Sequence, residues 1–222
     1  MIGEMFLIER ISNKVGYKVA SSLKLDKDQE EIIAYGAFCL MQVLWAIFWV
    51  ILFGTIFNVL TDALIVTFTI ALLRKYSGGA HFSSPNSCAI IGGVVCTALA
   101  LITNKILPLF DIKILILIGA ICLMGSYFIV NKLAPVDSSA KPIRKVETRQ
   151  RLKRQSILTL SVLLVIMVIL LSIYFRYNNS FSLKSAESMC IGIMWQVLTL
   201  TSIGHNIFNK IDNFLKFKKG RN

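Results

Sequence analysis

Residues 63–103 read ALIVTFTIALLRKYSGGAHFSSPNSCAIIGGVVCTALALIT, and the contrast within them decides the fold class. Two apolar blocks enclose a polar stretch, residues 74–88, which carries two Gly, four Ser, one Pro, one His and one Cys. Outward from it the chain repeats the apolar theme, in blocks at 34–59, 61–73, 88–103, 112–130, 157–175 and 189–204. A helix needs about 20 apolar residues to cross a bilayer. The blocks 61–73 and 88–103, which flank the polar stretch, fall short of that length. Of the 222 residues, 55% are hydrophobic and 16% are charged, against about 25% charged in a soluble domain. The expectation is an all-α integral membrane protein with about six transmembrane helices. Two of them are short and flank the loop, amphipathic helices stand at both ends, and 1–222 forms a single domain.

The formal net charge is +12. In a soluble chain this would raise nucleic acid as a partner. In a membrane protein, Lys and Arg collect in cytoplasmic loops. With six spans and a cytoplasmic N-terminus, only Lys105, Lys113, Arg176 and Lys184 fall outside, and the other 20 of the 24 basic residues fall inside. The split needs no nucleic acid, and it places the loop 74–88 on the cytoplasmic side of the cell membrane.

The start, MIGEMFLIERISNKVGYK, has early acidic residues and no long apolar run before a small-residue cleavage site, unlike a signal peptide. Within 1–33, Ile8, Ile11, Val15, Val19 and Leu23 recur at helical spacing. Within 205–222, Ile207, Phe208, Ile211, Phe214 and Leu215 do the same above a run of lysines. Basic amphipathic helices of this kind lie on anionic membrane surfaces, so both ends read as interfacial segments around a core at 34–204. Segment 131–156 opens with prolines and continues as a basic stretch, with Asp137 and Ser138 as candidate N-caps of a short helix.

The loop holds the chemistry. His81 is one of two histidines, and Cys88 stands seven residues after it. Imidazole is the usual base for activating a thiol. Pro85 and the Gly pair argue against one continuous helix, so the loop must fold His81 back over Cys88. SSPNS before Cys88 is rich in N-cap residues with an early Pro, the pattern of a helix start. A thiol in a first turn faces unpaired N–H groups and the positive end of the dipole, which favour its anion. The same donors suit an oxyanion. Gly78 and Gly79 allow close approach of backbone to substrate, or positive φ.

Spacing alone does not single out catalysis. A Cys at a helix start also serves as a small residue, and a loop His as a polar one. Asp137 suits a third member of the site and suits a helix cap equally. His205, at the end of the sixth block, reads as interfacial. Two ligands leave a zinc site half-filled, so no metal and no cofactor is expected. The five cysteines, Cys39, Cys88, Cys96, Cys122 and Cys190, show no paired spacing.

The stretch RKYSGGAHFSSPNSC resembles the core of the accessory gene regulator protein B family, AgrB, of Gram-positive quorum sensing. The family pattern of Arg, Gly, His and a Cys seven residues after the His is matched by Arg74, Gly79, His81 and Cys88. KLAPVDSSAKPI, residues 132–143, resembles its second shared segment, through Ala134, Pro135, Asp137, Lys141 and Pro142. The longer tail beyond residue 205 is similar to clostridial-type members. The resemblance implies a membrane cysteine endopeptidase that cuts an AgrD-like propeptide and cyclises the product to a thiolactone or lactone. It implies Cys88 as nucleophile and His81 as base. Arg74, Gly78, Gly79, Pro135, Asp137 and Lys141 would support the site or bind substrate. The partners implied are the propeptide, the lipid bilayer and a second copy in a homodimer. The rival from the residues alone is a small transporter or channel component with 74–88 as a re-entrant loop. A non-catalytic scaffold is the third reading.

Overall fold

In lipid every backbone polar group must find its partner within the protein, which restricts spanning segments to helices or closed barrels. The computed structural model describes residues 7–137, 143 and 145–219, and over these the chain forms helices joined by short loops. They are α1 (Leu7–Leu23), α2 (Lys27–Ile56), α3 (Leu60–Ser77), α4 (Pro85–Leu101), α5 (Ile112–Leu133), α6 (Val146–Tyr177), α7 (Ser180–Leu198) and α8 (Ser202–Lys219). A π-helical turn (Ile102–Ile106) and a 3-10 turn (Leu107–Leu109) prolong α4. No strand is present among the described residues; Gly78 and Val136 make an isolated parallel bridge. The chain is an all-α membrane protein.

Four stretches are long and apolar enough to cross a membrane: Lys27–Ile56, Pro85–Leu109, Ile112–Leu133 and Val146–Tyr177. Ser180–Leu198 and Ser202–Lys216 form a pair bent by 81° that passes the same test together. The helix α3, 18 residues long, carries Asp62, Arg74 and Lys75, so apolarity alone does not qualify it. The block at 88–103 is less short than its apolar letters suggest. Pro85 starts its helix early, and the turns through Leu109 lengthen it to 25 residues.

Two further boundaries differ from the sequence pattern. The helix α2 starts at Lys27, ahead of the apolar block, where Asp26 caps it by accepting from Gln29 N at 2.8 Å. The basic run after Lys145 is not a separate short helix but the opening turns of the 32-residue α6. Its N-cap position is Lys145. Asp137 instead bonds Arg149 and the Ile143 amide, and Ser138 lies outside the described residues.

Buried apolar side chains form one core around Leu73, Val130, Leu160, Leu163 and Ile193, and a second around Val50, Val66 and Ala100. The outer faces of α2, α5 and α6 expose Leu44, Phe48, Leu117, Phe128, Val165 and Ile169. In water so much apolar surface would drive association; in a bilayer it meets acyl chains. The far end of the bundle from the loop is closed by polar bonds. Asp62, 7% exposed, accepts from Asn104 Nδ2 at 2.7 Å and Ser188 Oγ at 3.4 Å, and Lys184 Nζ donates to Asn104 Oδ1 at 3.4 Å. The helices α3 and α7 therefore carry the ionisable groups Asp62 and Lys184 into the bundle.

The amphipathic α1 packs along α2, with Ser12, Gly16 and Ala20 buried and Gly16 against Ala34. Small residues at every fourth position let the helices approach closely. Of the stripe assigned to the membrane surface, Ile8, Val15 and Val19 are half-buried beside this seam, while Ile11 and Leu23 stay exposed.

Candidate active site

The loop between α3 and α4 is held from three sides. Its entry bends at Gly78 (φ 70°) and Gly79 (φ 130°), in the left-handed region that glycine tolerates and L side chains resist. A Cβ on Gly78 would strike the Val136 carbonyl oxygen, and one on Gly79 would meet Thr199 Oγ1. From the α5–α6 connection, Val136 N donates to Ser77 O at 2.8 Å. From the end of α7, Gln196 Nε2 donates to Gly78 O at 2.8 Å and Ser77 Oγ at 3.1 Å. Thr199 O accepts from Ala80 N at 3.0 Å. From α8, Asp212 accepts from the backbone N–H and hydroxyl of Ser83.

Arg74 projects from the last turn of α3 and donates to the Ala80 carbonyl oxygen. It stands within electrostatic reach of both His81 and Cys88. A cavity of about 160 Å³ opens beside it, lined by Arg74, Gly78, Gly79, His81, Pro135 and Val136 among others. His81 reaches solvent at its surface, yet its ring sits in a crowded depression. Crowding by protein atoms, and then the Arg74 charge, hold its pKa down to about 4. It is a neutral imidazole at physiological pH.

Cys88 does not line this cavity. Pro85 occupies the first turn of α4, as expected of a helix start, although the Ser84 side chain makes no cap bond. The Cys88 amide is already used by Ser84 O at 3.0 Å. Donors for an oxyanion therefore fall to Asn86 and Ser87, whose N–H groups precede the first intrahelical bond. The Cys88 side chain is half-buried and packs with Ala80, Phe82 and Phe208. No hydrogen bond joins His81 to Cys88 among the described residues.

Gln42 adds a measure of depth. Its Nε2 donates to Pro85 O at 2.7 Å. Gln42 stands eight residues into the apolar block that begins at residue 34, about 12 Å along the helix axis. The start of α4 thus packs beside the interior of α2 and not beside its end.

Of the residues singled out from the sequence, the fold gathers Arg74, Gly78, Gly79, His81 and Pro135 around one cavity and leaves Cys88 outside its lining. Asp137 points elsewhere: its carboxylate pairs with Arg149 at 2.9 Å and takes the Ile143 amide at 3.4 Å. Lys141 lies outside the described residues. His205 donates its amide to Thr201 O in the bend before α8. All five cysteines are free. Among the described residues no group of three or more His, Cys, Asp or Glu is arranged to hold a metal ion.

The residues that sequence reasoning missed are Gln42, Gln196, Thr199, Phe208 and Asp212. Gln196 carried a signal, because a lone amide within an apolar block needs a buried partner.

The family model described as Accessory gene regulator B matches residues 9–200 and so ends before α8. The chain is 39% identical to AgrB-like protein 2 of Clostridium perfringens (strain 13 / Type A), over 94% of this chain and 98% of that one. It is 38% identical, with the same coverage, to the AgrB-like protein of Clostridium perfringens (strain SM101 / Type A). AgrB-like protein 1 of strain 13 is 30% identical over 70% of this chain and 80% of its own. No solved structure matches the chain.

Proposed function

Because the chain belongs to the accessory gene regulator B family, we propose that this multi-pass membrane protein is a cysteine endopeptidase of quorum sensing. Its substrate is an AgrD-like propeptide, which it cleaves and cyclises to a thiolactone or lactone. One observation carries the reading: Arg74 binds the loop at Ala80 and lies near both His81 and Cys88. Burial, and then the guanidinium charge, keep the imidazole unprotonated.

His81 takes the proton of Cys88 once the bound peptide draws the loop closed. The sulfur attacks the scissile carbonyl carbon, forming a C–S bond and an oxyanion that the Asn86 and Ser87 amides face. The C–N bond breaks, and the departing amine receives the proton from His81. The propeptide's own Cys or Ser then attacks the thioester, closes the ring and releases Cys88. Thioester exchange is close to balanced, so that step needs no nucleotide. The start of α4, packed beside the interior of α2, supports an acyl-enzyme sheltered from hydrolysis. The excess of Lys and Arg supports a cytoplasmic loop, and a homodimer is part of the same proposal.

The test uses the full chain in nanodiscs with a synthetic AgrD-like precursor. Mass spectrometry should find a cleaved tail, a product lighter by the ring closure, and an acyl adduct on Cys88. Full cleavage by Cys88→Ala would sink the protease reading. The Asp62–Asn104–Ser188 cluster is the observation that favours the transporter alternative. It sits at the opposite end from the loop, so a re-entrant gate at 74–88 gains nothing from it.

A further inference from the structure

The helix α8 lies beyond the stretch shared with the family model, and its basic amphipathic sequence suggests nothing more than an anchor. Its contacts are more specific. Phe208 and Asp212 stand one turn apart on one face. Phe208, 9% exposed, stacks on Phe82 with centroids 4.7 Å apart and an interplanar angle of 26°. It forms one cluster with Ala80 and Phe82, and Cys88 packs against that cluster. The Asp212 side chain, 14% exposed, accepts from Ser83 N at 3.2 Å and from Ser83 Oγ at 2.9 and 2.8 Å, and pairs with Lys216 at 2.9 Å. Burial alone would raise the Asp212 carboxyl. The bonds from Lys216 and Ser83 outweigh it and hold the group below its ordinary value, so the carboxylate stays ionised.

These contacts bracket His81. On one side Ala80 is fixed by Thr199 and Arg74. On the other, Phe82 and Ser83 are fixed by α8 alone among the contacts described above. A loop that begins with two left-handed glycines has wide backbone freedom, which fixing both neighbours of His81 removes.

The chain also makes the bend that aims α8 at the loop. The axis turns by 81° between α7 and α8. Thr201 Oγ1 accepts from Gly204 N at 3.3 Å. Any Cβ at Gly204 would strike the Leu198 carbonyl oxygen. Only glycine lets α8 fold back this closely.

Resting on the endopeptidase reading, we infer that Phe208 and Asp212 are positioning residues of the active site, which place the His81 loop and cover Cys88, with Gly204 as the bend that delivers them. The test uses full-length protein in nanodiscs and reads two things. One is precursor turnover, as kcat and KM. The other is iodoacetamide alkylation at Cys88, followed by peptide mass spectrometry. Asp212→Ala should lower kcat by about tenfold or more with KM nearly unchanged, since a displaced catalytic group costs rate before binding. Asp212→Asn keeps an acceptor oxygen for Ser83 and should recover most of the rate. Ser83→Ala combined with Asp212→Ala should cost no more than Asp212→Ala alone, because the two share one contact. Phe208→Ala and Gly204→Ala should each speed alkylation of Cys88 by about threefold or more, as cover is lost.

Wild-type kcat in Asp212→Ala, or losses that simply add in the double variant, would overturn the positioning role. Unchanged alkylation in Phe208→Ala and Gly204→Ala would overturn the cover. Should the wild-type chain itself leave precursor intact, the endopeptidase reading fails, and the alkylation rates alone decide whether α8 shields Cys88. Should Asp212→Ala lose its fold, exposed Ser83→Ala stands in for it, and wild-type kcat there counts against the proposal.

Discussion

Arg74 donates to the carbonyl oxygen of Ala80, six residues along the chain, and so ties the end of α3 to the loop that α3 launches. The cation has no carboxylate partner in any ion pair among the described residues. A half-buried charge without one is costly and persists where something else gains from it. Here the gainers are the loop carbonyl and the neutral form of His81.

Charge and geometry at Arg74 should separate by substitution. Arg74→Lys keeps the cation but loses the planar fork. It should hold much of the Cys88 alkylation rate while losing most precursor cleavage. Arg74→Gln loses both and should slow alkylation as well. Equal alkylation in wild type and Arg74→Gln would show that the guanidinium does not act on the sulfur.

A pH prediction follows from His81. Its folded pKa, about 4, lies below the ordinary 6.5. The unfolded chain therefore binds this proton more readily than the folded one. Stability is full above pH 6.5 and is lost as pH falls through 4. His81→Gln should flatten that acid loss. The check is the melting temperature of both proteins from pH 7.5 to 4. Parallel profiles would mean that the imidazole is not held neutral by its surroundings.

Gly78 offers a test of the loop entry. Gly78→Ala meets both a positive φ and the Val136 carbonyl. The strain should cost about 1–3 kcal/mol, read as a lowered melting temperature, and cleavage should fall with it. Gly36 has open space around it and no positive φ, so Gly36→Ala is the control. Equal melting of the two variants would remove the case for a strained entry.

Much of this fold is legible in the sequence, because lipid demands long apolar runs and those are visible letter by letter. The helix ends are less so. Asp26 extends α2, Pro85 starts α4 early, and the basic run joins α6, since backbone hydrogen bonding continues where hydropathy stops. The motif residues are legible as residue types at a spacing. Their distances are not, and a gap of seven left open that His81 would line the cavity and Cys88 would not. The partners are the least legible. Gln196 to Gly78 and Asp212 to Ser83 join residues more than a hundred positions apart, and neither side of such a pair announces the other.

Membrane orientation gives the last prediction, in two separable parts. The bonds Val136 N to Ser77 O, Ala80 N to Thr199 O and Ser83 Oγ to Asp212 join the loop to the α5–α6 connection and to α8. Those three segments must therefore lie on one side of the membrane, whichever side that is. The turns at 57–59, 107–111 and 178–179 belong to the other. The excess of Lys and Arg then assigns the first group to the cytoplasm. Single cysteines placed at 145, 178 and 210 in a chain whose five native cysteines are Ser or Ala should be probed with a membrane-impermeant maleimide on intact cells and on lysed ones. Label at 178 alone in intact cells is the expected result. Label at both 145 and 210, with none at 178, would keep the helix arrangement and reverse the protein, moving the site outside. Label at 145 without 210 would break the shared side that the three bonds require, and the arrangement of α8 over the loop would fall with it.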